Sequence, residues 1–326
     1  MGESTTQKIL SYISKNGQVS GRELVEYLNT IGSRAVRKQL RNLLDKGLVR
    51  KSGRPPKVYY SLTDSKIFDE PVDIDKKILR IVEERYLFIS PSGEAKYGWE
   101  GFKLWCKKTN QDPVKTASEY VATLKKYDKF RRGDLINGME KMAHTFDEVF
   151  LDKLFYLDFY SIERFGKTKL GQMLLYAKQS QNRVLINKIV EDIRYKILKI
   201  VREYKVDVVL YIPPTVKREV QFMKELEKGL HLPLKTLIVA KVKTEIAVPQ
   251  KTLAKLEDRI ENAKRTIVVE DTGLYKNVLL IDDAVGSGSS LNETARQIRR
   301  KGICSGKIIG LAITGSFKGF DVISEV

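Results

Sequence analysis

The sequence predicts a mixed α/β chain: a parallel sheet in the C-terminal half, a helical middle, and a small basic N-terminal module of three helices and a hairpin. Three observations carry this expectation. Beyond Asp207, short continuous apolar runs alternate with helical segments, the pattern of strands buried on both faces. Residues 1–63 compress three amphipathic helical patterns and one hairpin into a segment rich in Lys and Arg. Between them lies a stretch with helical periodicity and no recognisable motif. The expected division is residues 1–66, 67–154 and 155–326.

The bulk properties narrow the class. No segment approaches the roughly 18 consecutive apolar residues of a membrane span, and the N-terminus Met1-Gly2-Glu3-Ser4-Thr5 lacks a basic-then-apolar leader pattern. The expectation is a cytoplasmic protein. Two cysteines, Cys106 and Cys304, and two histidines, His144 and His231, stand far apart, which excludes the ligand spacing of a structural zinc site. The formal net charge is +18, which favours a polyanionic partner without saying which.

The first module is the most basic part. Residues 1–63 hold twelve Lys or Arg against four Asp or Glu. A helix is expected from Thr5 to Lys15, with Ile9, Leu10 and Ile13 on one face and Asn16-Gly17 as its stop. A second starts at Ser20 with Glu23 three residues on, a capping-box pattern, and carries Leu24 and Leu28. A third starts at Ser33, where Val36, Leu40, Leu43 and Leu44 form a buried stripe. Its opposite face carries Arg34, Arg37, Lys38 and Arg41. Leu48–Lys51, a basic tip containing Arg54 and Lys57, and Val58–Leu62 then read as strand, turn and strand.

This module resembles the winged helix-turn-helix domains of bacterial and archaeal regulators. The resemblance implies that the third helix enters a major groove of double-stranded DNA, with Ser33, Arg34, Arg37, Lys38 and Arg41 facing it. It implies that Arg54 and Lys57 reach DNA at the wing. It also implies a homodimer, because one recognition helix rarely supplies enough specificity.

The middle is less informative. Asp73–Arg85 is an amphipathic helix, Pro91-Ser92-Gly93 a turn, and residues 114–150 two further helices. Trp99, Phe102 and Trp105 are expected to pack a small core. The run Lys125–Arg132 interleaves cations with Tyr127 and Phe130; a solvated helix end explains it as well as a nucleic-acid surface does.

Four strands are expected in the C-terminal half: Val208–Ile212, Leu237–Ala240, Val278–Ile281 and Ile308–Ile313. Helices are expected at Lys217–Leu230, Leu253–Lys264 and Leu291–Lys301. Ligands of such sheets sit beyond the C-terminal strand ends. There, Val278–Ile281 runs into Asp282-Asp283, then Val285-Gly286-Ser287-Gly288-Ser289-Ser290, then a helix. Glycines let backbone N–H groups converge on an anion, the helix aims its positive end at the same point, and three hydroxyls add donors. Two carboxylates beside that nest repel phosphate and suit neutral hydroxyls and a metal shell. The lysine of a nucleotide-triphosphate loop is absent.

The segment resembles the phosphoribosyl pyrophosphate (PRPP) signature of type I phosphoribosyltransferases, departing from it at Ala284 and Gly286. Around it the chain resembles competence protein F-like (ComF-like) members. Asp207–Pro214 with Lys217 and Arg218 is similar to their pyrophosphate-loop strand. Pro249-Gln250-Lys251-Thr252-Leu253 with Arg259 and Asn262 is similar to their Q-x-x-L…R-x-x-N segment, and Phe159–Lys178 to their upstream helix ending in lysine. Arg218-Glu219-Val220-Gln221-Phe222 departs from their usual first loop.

The resemblance implies that Asp282 and Asp283 hold the ribose diol and share a Mg²⁺, and that Val285–Ser290 hold the 5-phosphate. It implies that Pro214, Thr215, Lys217, Arg218 and Arg259 face pyrophosphate, and that a nucleobase nitrogen displaces pyrophosphate from C1. A winged helix fused to such a fold also resembles the purine-operon repressors, in which the fold senses PRPP or a nucleotide, and phage-defence or retron effectors. Both alternatives stay open on the sequence.

Overall fold

The computed structural model describes residues 4–29, 31–54, 56–63, 73–216, 218–242, 245–246, 248 and 250–316, with the side chains of 52–54, 57 and 251 left out of account. Two compact units emerge, Met1–Asp73 and Ile74–Val326.

The first unit runs α1 (Thr5–Asn16), β1 (Gln18–Ser20), α2 (Gly21–Leu28), α3 (Ser33–Asp45), β2 (Val49–Arg54) and β3 (Lys57–Leu62). Capping boxes close both early helix starts, Ser4 with Gln7 and Ser20 with Glu23. The apolar stripes meet in one core of Ile9, Ile13, Val19, Leu24, Leu28, Val36, Leu40, Leu43 and Val49. The hairpin is longer than its apolar runs suggest, pairing from Val49↔Leu62 out to Arg54↔Lys57. A third strand, β1, adds antiparallel to β3; at three residues it is too short to leave an alternating pattern. The cap of α3 is Gly32, and Ser33 is its first helical residue.

The second unit begins with α4 (Lys76–Arg85), β4 (Leu87–Ile89), β5 (Ala95–Tyr97), α5 (Gly98–Lys108) and α6 (Pro113–Asp128). A hairpin of β6 (Arg131–Arg132) and β7 (Leu135–Asn137) follows, then α7 (Met139–Thr145), β8 (Lys153–Phe159), β9 (Ser161–Ile162), β10 (Gly166–Lys167), α8 (Lys169–Gln179) and α9 (Arg183–Glu203). The remainder is β11 (Val208–Tyr211), α10 (Phe222–Leu230), β12 (Lys235–Thr236), β13 (Val239–Lys241), α11 (Leu256–Thr266), β14 (Ile267–Val269), β15 (Val278–Val285), α12 (Ser289–Arg300) and β16 (Ile308–Gly315).

Seven strands form the main sheet in the order β12-β11-β15-β16-β8-β7-β6. The first five are parallel, and β7 and β6 are antiparallel to their neighbours. The sheet is therefore mixed rather than purely parallel, because residues 131–137, expected within helices, fold into its edge. Alternation along the central strands divides the core. Val208, Leu210, Val278 and Leu280 face one cluster; Val209, Tyr211, Leu279 and Ile281 face the other. This is the two-sided burial that continuous apolar strands call for.

The described part of residues 67–154 packs into the same unit. Phe102, Tyr120 and Val121 share a cluster with Val208, Leu210 and Val278. Tyr86 and Phe102 meet edge to face at 4.8 Å, as do Tyr120 and Phe165 at 5.2 Å. The basic run 125–132 is partly consumed: Tyr127 is buried, and Arg131 pairs with Asp128 at 3.1 Å and also with Asp158.

Four segments of the C-terminal half depart from expectation. The helix expected over Phe159–Lys178 begins only at Lys169, because Ser161–Ile162 and Gly166–Lys167 pair as a short antiparallel hairpin before it. The helix expected from Lys217 begins at Phe222, because Gln181 accepts from the Val220 N–H at 2.8 Å and Arg218 donates to the Lys178 carbonyl, which holds 218–220 as a loop. The run 237–240 does not form one strand. Thr236 pairs in the main sheet, whereas Val239–Lys241 turns away to pair antiparallel with β14. The helix expected from Leu253 starts at Leu256, after a 3-10 turn at Gln250–Thr252. No helix among the described residues is long and apolar enough to cross a membrane.

Candidate functional site

A cleft of ≈ 210 Å³ opens at the C-terminal ends of β11 and β15, where ligands of such sheets bind. β15 continues past its apolar run to Val285, so Asp282 and Asp283 stand on its last turn of pleat, with Asp282 level with Ala312 of β16. Successive strand residues point oppositely, and the two acids have different partners. Asp283 pairs with Lys178 at the end of α8 at 2.6 Å. Asp282 turns one oxygen back onto the Asp283 N–H at 2.8 Å. Burial, then the charge of Asp283, push the Asp282 carboxyl up to about 7; the Asp283 N–H, Lys178 and Lys241 oppose this.

Next comes the glycine–serine turn. Ser287 and Ser289 are buried, their hydroxyls 2.9 Å apart. Gly288 caps α12 with φ +88 and no side-chain cap bond. Ser4, Ser20, Asp75, Asp112, Thr168 and Asn182 all cap their helices through side-chain oxygens. The starts of α3, α5, α7, α10 and α11 likewise lack a side-chain cap, and at α12 the Ser289 N–H donates to the Ser287 hydroxyl at 3.3 Å. The first-turn N–H groups of a helix start are the kind of donors that suit an anion. The helix start is fixed from behind: Asn292 accepts from the Phe150 N–H and donates to the Glu148 carbonyl, both at 2.9 Å.

Cations line the far wall. Lys241, at the end of β13, donates to the Thr215 hydroxyl at 2.6 Å. Burial depresses its pKa, and the charges of Asp282 and Asp283 counter this. Of the residues read as facing pyrophosphate, Pro214, Thr215, Arg218 and Arg259 line the same cleft as Asp282, Asp283 and Val285–Ser290. Lys217 lies outside the described residues. Both arginines also serve the scaffold. Arg218 donates to the Lys178 carbonyl. Arg259, only 4% exposed, donates from Nε to the Leu253 carbonyl at 2.8 Å. The Gln250 amide bonds the Arg259 carbonyl at 2.9 Å and Asn262 at 3.0 Å. The spacing Gln250…Arg259…Asn262 is thus a brace for the cleft wall.

Lys241 escaped the sequence reading. Its signal was the position of a cation directly after an apolar run, where a strand of an α/β sheet meets its ligand side. Lys178 was visible only as the end of a helix.

On the first unit, Ser33, Arg34, Arg37, Lys38 and Arg41 are all exposed on α3. The four cations border a groove with Lys51 and Tyr60, and none forms an ion pair among the described residues. Arg54 and Lys57 close the hairpin as its last backbone pair; their side chains lie outside the described residues.

Residues 7–64 match the family of ribonuclease R winged-helix domains. The N-terminal unit is a winged-helix domain, and the rest of the chain is mixed α/β. No curated protein matches the chain. Among solved structures, a hypoxanthine phosphoribosyltransferase from Staphylococcus aureus is similar at 14% identity and a TM-score of 0.25, over 41% of this chain and 80% of that one. A likeness that low decides nothing about the fold of residues 74–326.

Proposed function

We propose that the chain is a PRPP-binding, phosphoribosyltransferase-like protein of ComF-like type that also binds double-stranded DNA through its winged helix. One observation carries the reading: an acid pair on a strand end followed at once by an uncapped glycine–serine helix start, within one cleft lined by Lys178, Lys241 and Thr215. The two carboxylates suit accepting from ribose hydroxyls, the N–H and hydroxyl donors of the following turn suit a phosphate, and the cations suit pyrophosphate. The Gly286–Ser290 turn holds the 5-phosphate, and Asp282 and Asp283 hold the ribose hydroxyls. Lys241 and Thr215, with Arg218 and Arg259 at the wall, meet pyrophosphate.

Mg²⁺ fits this donor set. Among the described residues no group of three His, Cys, Asp or Glu gathers to hold a metal alone. Two carboxylates beside substrate phosphates are the usual protein share of a Mg²⁺ shell. Bound there, the ion would neutralise pyrophosphate oxygens. In phosphoribosyl transfer the protein's part is positioning and electrostatics: holding C1 open to a nucleobase nitrogen while lysines stabilise the departing pyrophosphate.

A second reading, a regulator that senses PRPP, is favoured by the arginines. Arg218 and Arg259 spend donors on backbone carbonyls, which suits binding more than turnover.

Calorimetric titration of PRPP with Mg²⁺ into the full chain is expected to give a saturable heat that Asp282→Asn with Asp283→Asn removes. No heat in the parent protein would sink the reading. Pyrophosphate release on adding a nucleobase selects the enzyme; binding without release that shifts DNA affinity selects the sensor. On the winged helix, Arg34→Ala with Arg37→Ala and Arg41→Ala is expected to weaken duplex DNA binding by about 10- to 100-fold, read by fluorescence anisotropy. A unit mass by light scattering, with and without DNA, tests the expected homodimer.

A further inference from the structure

The N-terminal unit does not account for all of the charge. Residues 1–73 hold 13 Lys and Arg against 8 Asp and Glu, so +13 of the chain's +18 lies in residues 74–326. Part of it is organised. At the N-terminal ends of the parallel strands, opposite the cleft, each of four neighbouring strands is entered past a lysine. Lys205 precedes β11, Lys276 precedes β15, Lys307 directly precedes β16, and Lys153 opens β8. In the sheet these strands lie in the order β11-β15-β16-β8, so the lysines form a row. All four are exposed, and none forms an ion pair among the described residues.

None of the nearby carboxylates pairs with the ammonium group of a row lysine among the described residues. Asp207 accepts the N–H groups of Lys276 and Asn277 at 2.9 and 2.7 Å. Asp152 accepts from Arg299 at 2.5 Å and from the Ile308 N–H at 2.6 Å. Asp134 stands 3.9 Å from Lys199, and Glu203 closes α9 beside Tyr204. The row ends at β12, where Lys235 meets Asp271 at 3.5 Å.

Helix dipoles do not explain the row. Negative C-terminal helix ends attract cations, but Arg202 on α9 and Arg299 and Arg300 on α12 already fill that role. Lys153, Lys276 and Lys307 stand at strand mouths. Half-buried Tyr204 adds a ring under Lys307, 5.9 Å from its ammonium.

We infer that this floor of the sheet is a second nucleic-acid surface, separate from the winged helix and from the cleft, which follows a phosphodiester backbone without reading sequence. Strands about 4.8 Å apart spread four lysines over roughly 14 Å, which matches on the order of four phosphates at about 3.4 Å of rise along one DNA strand. A chain that carries a winged helix already presents such a backbone to its own surface. A row of flexible ammonium groups without a bidentate arginine fork suits contact with phosphates rather than with base edges.

The test is duplex binding by the full chain from 50 to 300 mM KCl, with a random-sequence 30-base-pair DNA. The floor variant carries Lys153→Gln, Lys205→Gln, Lys276→Gln and Lys307→Gln. It is expected to lower the slope of log affinity against log salt by about 2–4 and to weaken binding at least tenfold at 150 mM, while PRPP heat is unchanged. The same change is expected on top of the Arg34, Arg37 and Arg41 substitutions. If those three substitutions alone do nothing and the floor variant still loses binding, the winged-helix reading fails and this one stands. A floor variant with the parent slope and affinity overturns it. So does one that loses binding to phosphatidylserine vesicles but not to DNA. Two half variants, Lys205→Gln with Lys276→Gln and Lys153→Gln with Lys307→Gln, guard against misfolding; each is expected to remove about half of the slope change.

Discussion

Asp282→Asn is expected to abolish PRPP binding and, at pH 8, to make the protein more stable. Both effects have one cause. Asp282 sits where burial and the adjacent charge of Asp283 disfavour its ionised form, which raises its carboxyl to about 7. Between the ordinary carboxylate range near 4 and that value, the folded protein holds a proton that the unfolded chain has released. The contribution of Asp282 to stability is therefore complete below about pH 4 and is lost as pH rises through about 7. Asparagine keeps the acceptor for the Asp283 N–H and has no charge to desolvate. The gain at pH 8 is about 1–3 kcal/mol, allowing for solvent screening of a half-buried group, and it vanishes near pH 4. Urea denaturation of both proteins at the two pH values checks this. A variant that is less stable at pH 8 contradicts the assignment of Asp282 as a group strained for function.

Gly288→Val is expected to cost about 2–5 kcal/mol and at least tenfold in PRPP affinity. Gly288 has φ +88, and a Cβ there would lie 2.5 Å from the Met142 sulfur and 3.2 Å from its methyl. The left-handed backbone costs a side chain about 1–2 kcal/mol, and overpacking adds about 1–3. Relief requires moving either Met142, which is buried, or the start of α12, whose N–H groups are proposed to hold the phosphate. Gly302 supplies the control. It has φ +67, and a Cβ there would meet nothing within 4 Å, so Gly302→Ala is expected to show the backbone cost alone and to leave PRPP binding unchanged. Equal losses at the two positions would mean that Met142 simply swings away.

The strand–turn–helix order around the glycine–serine turn was legible because its signals are local. Two acids, two glycines and three serines within a few residues of a buried strand mark the candidate site without reference to the rest of the chain, and the structure brings them to one cleft. The α3 strip was legible for a similar reason: helical spacing alone sorts Arg34, Arg37, Lys38 and Arg41 from Val36, Leu40 and Leu43. What stayed hidden depends on distant partners. Nothing near Arg131 says that it bonds the Leu157 carbonyl, or that residues 131–137 extend a sheet whose next strand starts at Lys153. The break after Thr236 was invisible because Val239–Lys241 has equal strand character on either side of it; the partner, β14, decides. Arg259 looked like a ligand-binding cation, yet a buried guanidinium also bonds carbonyls, and only the fold reveals that Leu253 is within reach.

The bonds from Asn292 to Glu148 and Phe150 carry a consequence for dissection of the chain. They tie the first turn of α12 to a segment about 140 residues earlier, and Met142 supplies the surface behind Gly288. A fragment beginning at residue 155 would keep every residue of the signature and lose the wall against which it is set. The phosphate turn is therefore not portable: grafting or excising it demands the preceding α7 and its loop as well.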